Sequence, residues 1–225
     1  MARPTKPRRR APLSRERVLR GALTLADEGG GEALSMRSLG KKLGVEAMSL
    51  YNHVANRDDI VDGLVDIVFG EIDVPAPGET DWKAAMRRRA ISAREVLNRH
   101  RWAVGLMESR MRPGPENLRH HNAVMGCLRE AGFAFRDAVH AYSVLDAYIY
   151  GFALQEKSLP FDTVSEHEQV IEAKRDNVPD MAAFPYLVEV GMELAKAGYD
   201  YATEFEYGLD LILDGLERRR ASAVD

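Results

Sequence analysis

Residues 35–54 read SMRSLGKKLGVEAMSLYNHV, and the placement of small and apolar residues in this stretch decides the fold. Leu39 and Leu43 recur at helical spacing behind Ser35, a side chain able to cap a helix start. Gly40 offers a small residue where two helices approach closely, and Gly44 permits the turn. Val45, Leu50 and Val54 then supply the inward side of a second short helix, from about Glu46 to His53. That is the anatomy of a helix-turn-helix, whose second helix enters the major groove of duplex DNA. Ala47, Met48, Ser49 and Asn52 would face base edges or backbone, while Tyr51 and His53 sit at the far end, where a phenol or imidazole donates to phosphate. Arg37, Lys41, Lys42 and Arg57 supply cations for flanking phosphates. Sequence choice would fall to Arg37, which can fork onto a guanine, and to Ser49, with Ala47 and Met48 touching thymine methyls.

Outward from this core, residues 1–12 hold three prolines and five basic residues without apolar periodicity, the composition of a flexible basic arm. Ser14 caps a first helix that ends at Gly29-Gly30-Gly31, so the helix-turn-helix domain covers residues 13–55. Asn56 caps a fourth, connecting helix over residues 56–73, with Asp58 and Asp59 at its positive end. Residues 1–57 carry twelve Lys and Arg against five acids, whereas the whole chain is at −4, which leaves the remainder near −11. A basic end on an acidic body suits one face that meets a polyanion. The competing explanation is a solvated charged tail, and charge alone does not decide between them.

Residues 74–80, with two prolines and a glycine, are the expected connection into a second domain over residues 74–225, and beyond them the pattern is helical, with no alternating strand of period two. The chain is therefore expected to be all-α, a three-helix DNA-binding domain followed by a larger helical domain for ligand binding and dimerisation. Helices are expected over about 81–99, 102–110, 115–131, 136–157, 181–197 and 201–220, with 161–180 irregular. The 136–157 helix is apolar on more than one side, and the last helix carries Phe205, Leu209, Ile212, Leu213 and Leu216 on one stripe. Leu209, Leu216 and their neighbours could meet a partner chain, two such helices from each subunit forming a four-helix interface. A monomer with these helices at its centre is the alternative.

The composition, 45% hydrophobic and 29% charged, allows a core without disulfides or metals, and the single Cys127 suits a packed thiol in a reducing cytoplasm. The longest mostly apolar run, Ala141–Leu154, is shorter than a bilayer requires and contains Asp146, so no membrane segment is expected. His100, His120-His121 and His167-Glu168 lack the one-turn pairing of a helix-borne zinc site, and no glycine-rich phosphate loop is present. Catalytic residues, metal ligands and cofactors are not expected.

The run LGVEAMSLYNHVANRDDIVDGL, residues 43–64, resembles the DNA-binding domain of the TetR family of transcriptional regulators, and FEYGLDLILDGLE, residues 205–217, resembles the last helix of its tetracycline-repressor branch. The resemblance implies a dimeric, ligand-responsive repressor of palindromic operator DNA in which Arg37, Ala47, Met48, Ser49, Tyr51, His53 and Arg57 face the duplex. A small-molecule inducer in the second domain would shift the connecting helix. The positions that hold tetracycline and magnesium in that branch correspond here to Glu108, Gln155, Arg89 and Ala93, so the resemblance does not extend to that drug. Arg89, Met107, Met111, His121, Met125, Tyr142, Asp146 and Tyr150 are the candidates to line an adaptable cavity. The alternative is a DNA-binding dimer whose helical domain serves protein interaction or dimerisation alone.

Overall fold

The computed structural model describes residues 12–158, 183–197 and 201–222. The arm, apart from Pro12, the segment 161–180, and Met181 and Gly198 lie outside the described residues. Every regular element among those described is helical. Packing divides the chain into two compact units, one formed by residues up to Ile72 together with Arg99–His121, the other by Asp73–Asn98 together with Asn122 onward.

In the first unit the helix starts follow from local chemistry. Ser14 accepts from the Arg17 amide (3.2 Å) to open α1, Arg15–Gly29. Ser35 and Ser38 form a reciprocal capping box that opens α2, Met36–Leu43. Asn56 accepts from the Asp59 amide (2.9 Å) to open α4, Arg57–Glu71. Between α2 and α4, α3 is a single turn, Ala47–Leu50, shorter than the 46–53 that periodicity predicts. Glu46 gives it no side-chain cap, and the amides of Tyr51 and His53 close back three residues, onto Met48 and Leu50, so the α-helical ladder stops. Val18, Ala22, Ala26, Leu39, Leu50, Leu64 and Phe69 form the buried heart of the unit.

The helix expected at 102–110 does not form. His100–Ser109 coils through successive three-residue closures, Ala103 to His100, Leu106 to Ala103 and Ser109 to Leu106. Long-range contacts fix this course. Trp102 Nε1 donates to Asp27 of α1 (2.8 Å), and His100 lies between Asp27 (2.7 Å) and Glu71 of α4 (3.2 Å).

The second unit is built on α5, Trp82–Arg99, most of α6, Pro115–Glu130, then α7, Phe135–Ser158, α8, Pro185–Ala197, and α9, Tyr201–Ser222. Ala138, Ala141, Leu145, Ile149 and Ala153 bury one side of α7, and Phe205, Leu209 and Leu213 bury one side of α9. Phe205 packs on Tyr148 and Phe152, with Arg94 5.3 Å from its ring centroid. Leu209 is therefore inside its own subunit rather than on a partner-facing surface. The large apolar side chains left exposed on these two helices are Phe135, Val139, Val144, Leu154, Tyr207 and Leu211.

Candidate functional site

The α2–α3 corner brings two backbones into contact. Gly44 adopts a left-handed conformation (φ 70°, ψ 40°), which a side chain would strain, and a Cβ at Gly40 would lie 2.9 Å from the Val45 carbonyl oxygen. Leu50 is fully buried beneath α3, so the helix shows its other side to solvent: Met48 is 75% exposed and Tyr51 47%. Asn52 is exposed beside them, while Ala47, Ser49 and His53 are half-buried.

The four expected phosphate-binding cations differ in their attachments. Arg37 and Lys41 stand exposed on α2. Lys42 pairs with Glu28 (2.8 Å). Arg57 instead holds the protein's own backbone: Nε donates to the Leu34 carbonyl and Nη2 to the Gly31 carbonyl, each at 2.9 Å, tying the start of α4 to the short 3₁₀ turn Gly31–Ala33.

A row of carboxylates on α4, invisible to motif reading, organises the same unit. Asp59 takes both terminal nitrogens of Arg15 (2.6 and 2.9 Å), Asp62 takes Arg110 Nε (2.5 Å), and Asp66 takes the amides of Glu116 and Asn117. Their spacing of three and four residues puts all three on one face of α4, the signal by which sequence reading could have found them. The face lines a cleft of about 870 Å³. The Arg15 hydrogen bond holds the Asp59 carboxyl below its usual 3.8, against the opposing effect of desolvation. A carboxyl whose folded value is depressed adds stability that is present at neutral pH and lost as pH falls below 3.8 through the folded value. Asp59→Asn is accordingly expected to flatten the loss of stability below about pH 4, as measured by urea midpoints at descending pH.

The residues expected to line a ligand cavity fall in both units. In the second, Arg89 (1% exposed) and Asp146 (4%) form a buried pair at 2.5 Å, with the Tyr142 ring 5.7 Å from the Arg89 guanidinium. The other carboxylate oxygen of Asp146, Oδ2, is buried without a hydrogen-bond partner. Tyr150 and Met125 are half-buried there. In the first unit, Met107 is buried, His121 bonds the Asn117 carbonyl (2.7 Å), and Met111 is 95% exposed. Cys127 is buried, and burial pushes its thiol up to about 11, the state of a packing group rather than a nucleophile. Among the described residues there is no cluster of three side chains able to hold a metal, and no helix long and apolar enough to cross a membrane.

An all-α chain whose glycine-hinged helix pair displays an exposed one-turn helix is a helix-turn-helix protein, joined here to a larger helical unit. Residues 74–220 match the family described as tetracyclin repressor-like, C-terminal domain. An HTH-type transcriptional regulator of Saccharopolyspora erythraea is 29% identical over 223 residues, 95% of this chain and 89% of the relative. The class A tetracycline repressor of transposon 1721 from Escherichia coli is 30% identical over 207 residues, 90% of each chain. Among solved structures, ActR of Streptomyces coelicolor in complex with actinorhodin superposes with a TM-score of 0.73 at 30% identity, over 93% of this chain and 99% of ActR. The chain belongs to the TetR family of transcriptional regulators.

Proposed function

We propose that the protein is a ligand-responsive repressor that binds palindromic operator DNA as a homodimer and is released by a small-molecule inducer. The observation that carries the DNA half of this reading is the outward display of Met48 on α3 and of Tyr51 and Asn52 on the turn that follows it, next to the exposed cations Arg37 and Lys41. An exposed aromatic and thioether beside cations suit a groove edged with phosphates. On this reading Ala47, Ser49 and His53 complete the contact, and Lys42 and Arg57 reach phosphate only beyond the bonds they already make. Selection of bound sequences from random duplexes tests it, with enrichment of a palindrome of two regularly spaced half-sites expected. Tyr51→Ala and Arg37→Ala are each expected to weaken binding to the selected duplex by about 1–3 kcal/mol, with unfolding midpoints unchanged.

The dimer is argued from α7 and α9, whose groove of about 540 Å³ is edged by Val144, Leu211, Ile212 and Leu216. The effector half draws on relatives: ActR has been solved with actinorhodin and with (S)-DNPA. Here the buried Oδ2 of Asp146 calls for a ligand that brings a hydrogen-bond donor. Exposed Tyr186, Leu187, Val190 and Met192 on α8 favour the second reading, a helical unit that binds protein. A thermal-shift screen separates the two, since a small molecule that binds only the folded state raises the melting temperature. As a DNA-binding regulator the protein would work in the cytoplasm.

A further inference from the structure

A carboxylate offers two oxygens, and an arginine that reaches it often grips both at once. Two ion pairs of the second unit follow that pattern. Arg88 takes both oxygens of Glu79, each at 2.9 Å, and Arg94 takes both oxygens of Glu156, with Nε at 2.9 Å. The more deeply buried pair does not. Of the Asp146 oxygens, Arg89 Nη2 meets only Oδ1, at 2.5 Å, and Oδ2 has no hydrogen-bond partner among the described residues although it is shielded from water. An ionised oxygen kept from water without a donor costs free energy, so the pair for which that cost is greatest is the one left incomplete.

The surroundings decide what completes it. Arg89 already neutralises the carboxylate, so a cation brought to Oδ2 would lie close to a second cation and lose its own hydration, while an anion would face a carboxylate oxygen. A neutral O–H or N–H donor carries neither penalty. Tyr142 and Tyr150 stand four residues before and after Asp146 on α7, hence on the face that carries it. Both are half-buried, and the Tyr142 ring centroid lies 5.7 Å from the Arg89 guanidinium. On α5, Ala85, Met86 and Ala93, each within about a turn of Arg89, are apolar and buried. A molecule that meets these groups gains by being flat, aromatic and uncharged.

We propose that Asp146 is the specificity-determining residue of the effector site and selects a neutral aromatic ligand bearing a hydroxyl group, whose O–H donates to Oδ2. This assignment rests on the small-molecule half of the function proposed above. Its test is calorimetric titration of the full-length protein with four naphthalenes that differ only in the group at one carbon: hydroxyl, methoxy, carboxylate or aminomethyl. Wild type is expected to bind the hydroxyl compound at least about tenfold more tightly than each of the others, the size of a hydrogen bond to a charged group. In Asp146→Asn, the Arg89 guanidinium tolerates only an oxygen opposite it, so the amide nitrogen takes the place of Oδ2 and a donor replaces an acceptor. The advantage of hydroxyl over methoxy is therefore expected to fall below about twofold in that variant. Tighter binding of the carboxylate or aminomethyl compound, or equal binding of hydroxyl and methoxy, by wild type overturns the ligand class, whether or not Asp146→Asn folds. A hydroxyl advantage that persists in folded Asp146→Asn overturns the role of Asp146. If none of the four binds while the thermal-shift screen finds another small molecule, the ligand class falls and the effector reading survives. If neither finds any, both fall together.

Discussion

Asp146→Ala is expected to lower the stability of the folded chain by about 3–5 kcal/mol, the range for removing one member of a buried ion pair. The cause is the partner left behind. Arg89 is 1% exposed, and without the carboxylate its cation stays away from water, its guanidinium 5.7 Å from the centroid of the Tyr142 ring. The pair itself contributes far less than this figure, because both ions were desolvated to form it. Replacing both together, Arg89→Met with Asp146→Leu, is therefore expected to cost much less than either single change. Urea denaturation measures both, and a loss under about 1 kcal/mol in Asp146→Ala contradicts the argument.

Leu50→Ala is the second large effect, about 2–5 kcal/mol for a fully buried leucine truncated in place. Its consequence is local as well as global, because Leu50 is the side chain by which α3 is anchored in the core. A four-residue helix without a side-chain cap does not persist on its own. Leu50 is the buried residue of that helix, so its truncation frees the surface that carries Met48 and Tyr51. Met48→Ala, on the same turn but 75% exposed, is expected to change stability by less than about 0.5 kcal/mol. Equal losses from the two variants would mean that α3 is held some other way. Leu50→Met, which conserves volume, should lie near wild type.

What the sequence made legible was local. Ser14, Ser35 and Asn56 cap their helices within three residues, and Gly44 turns on its own dihedrals, so these starts and stops are readable without knowledge of the fold. The chain around Trp102 departs from the helix its periodicity predicts because Trp102 is bonded to Asp27, 75 residues away, which no local pattern reveals. Arg89 and Asp146 were each singled out, yet a separation of 57 residues concealed that they are each other's partners. Arg57 looked like a cation waiting for phosphate, since composition reports charge and not attachment. The grouping of residues 99–121 with the N-terminal unit is likewise a product of packing, with no composition shift to mark it.

The attachment of Arg57 has a mechanical consequence. A planar, five-donor group that grips two carbonyls at once resists bending between the parts it joins, as a single ammonium would not. The beginning of α4 and the turn between α1 and α2 are thereby braced into one stiff piece. What such a piece can vary is its heading, not its form.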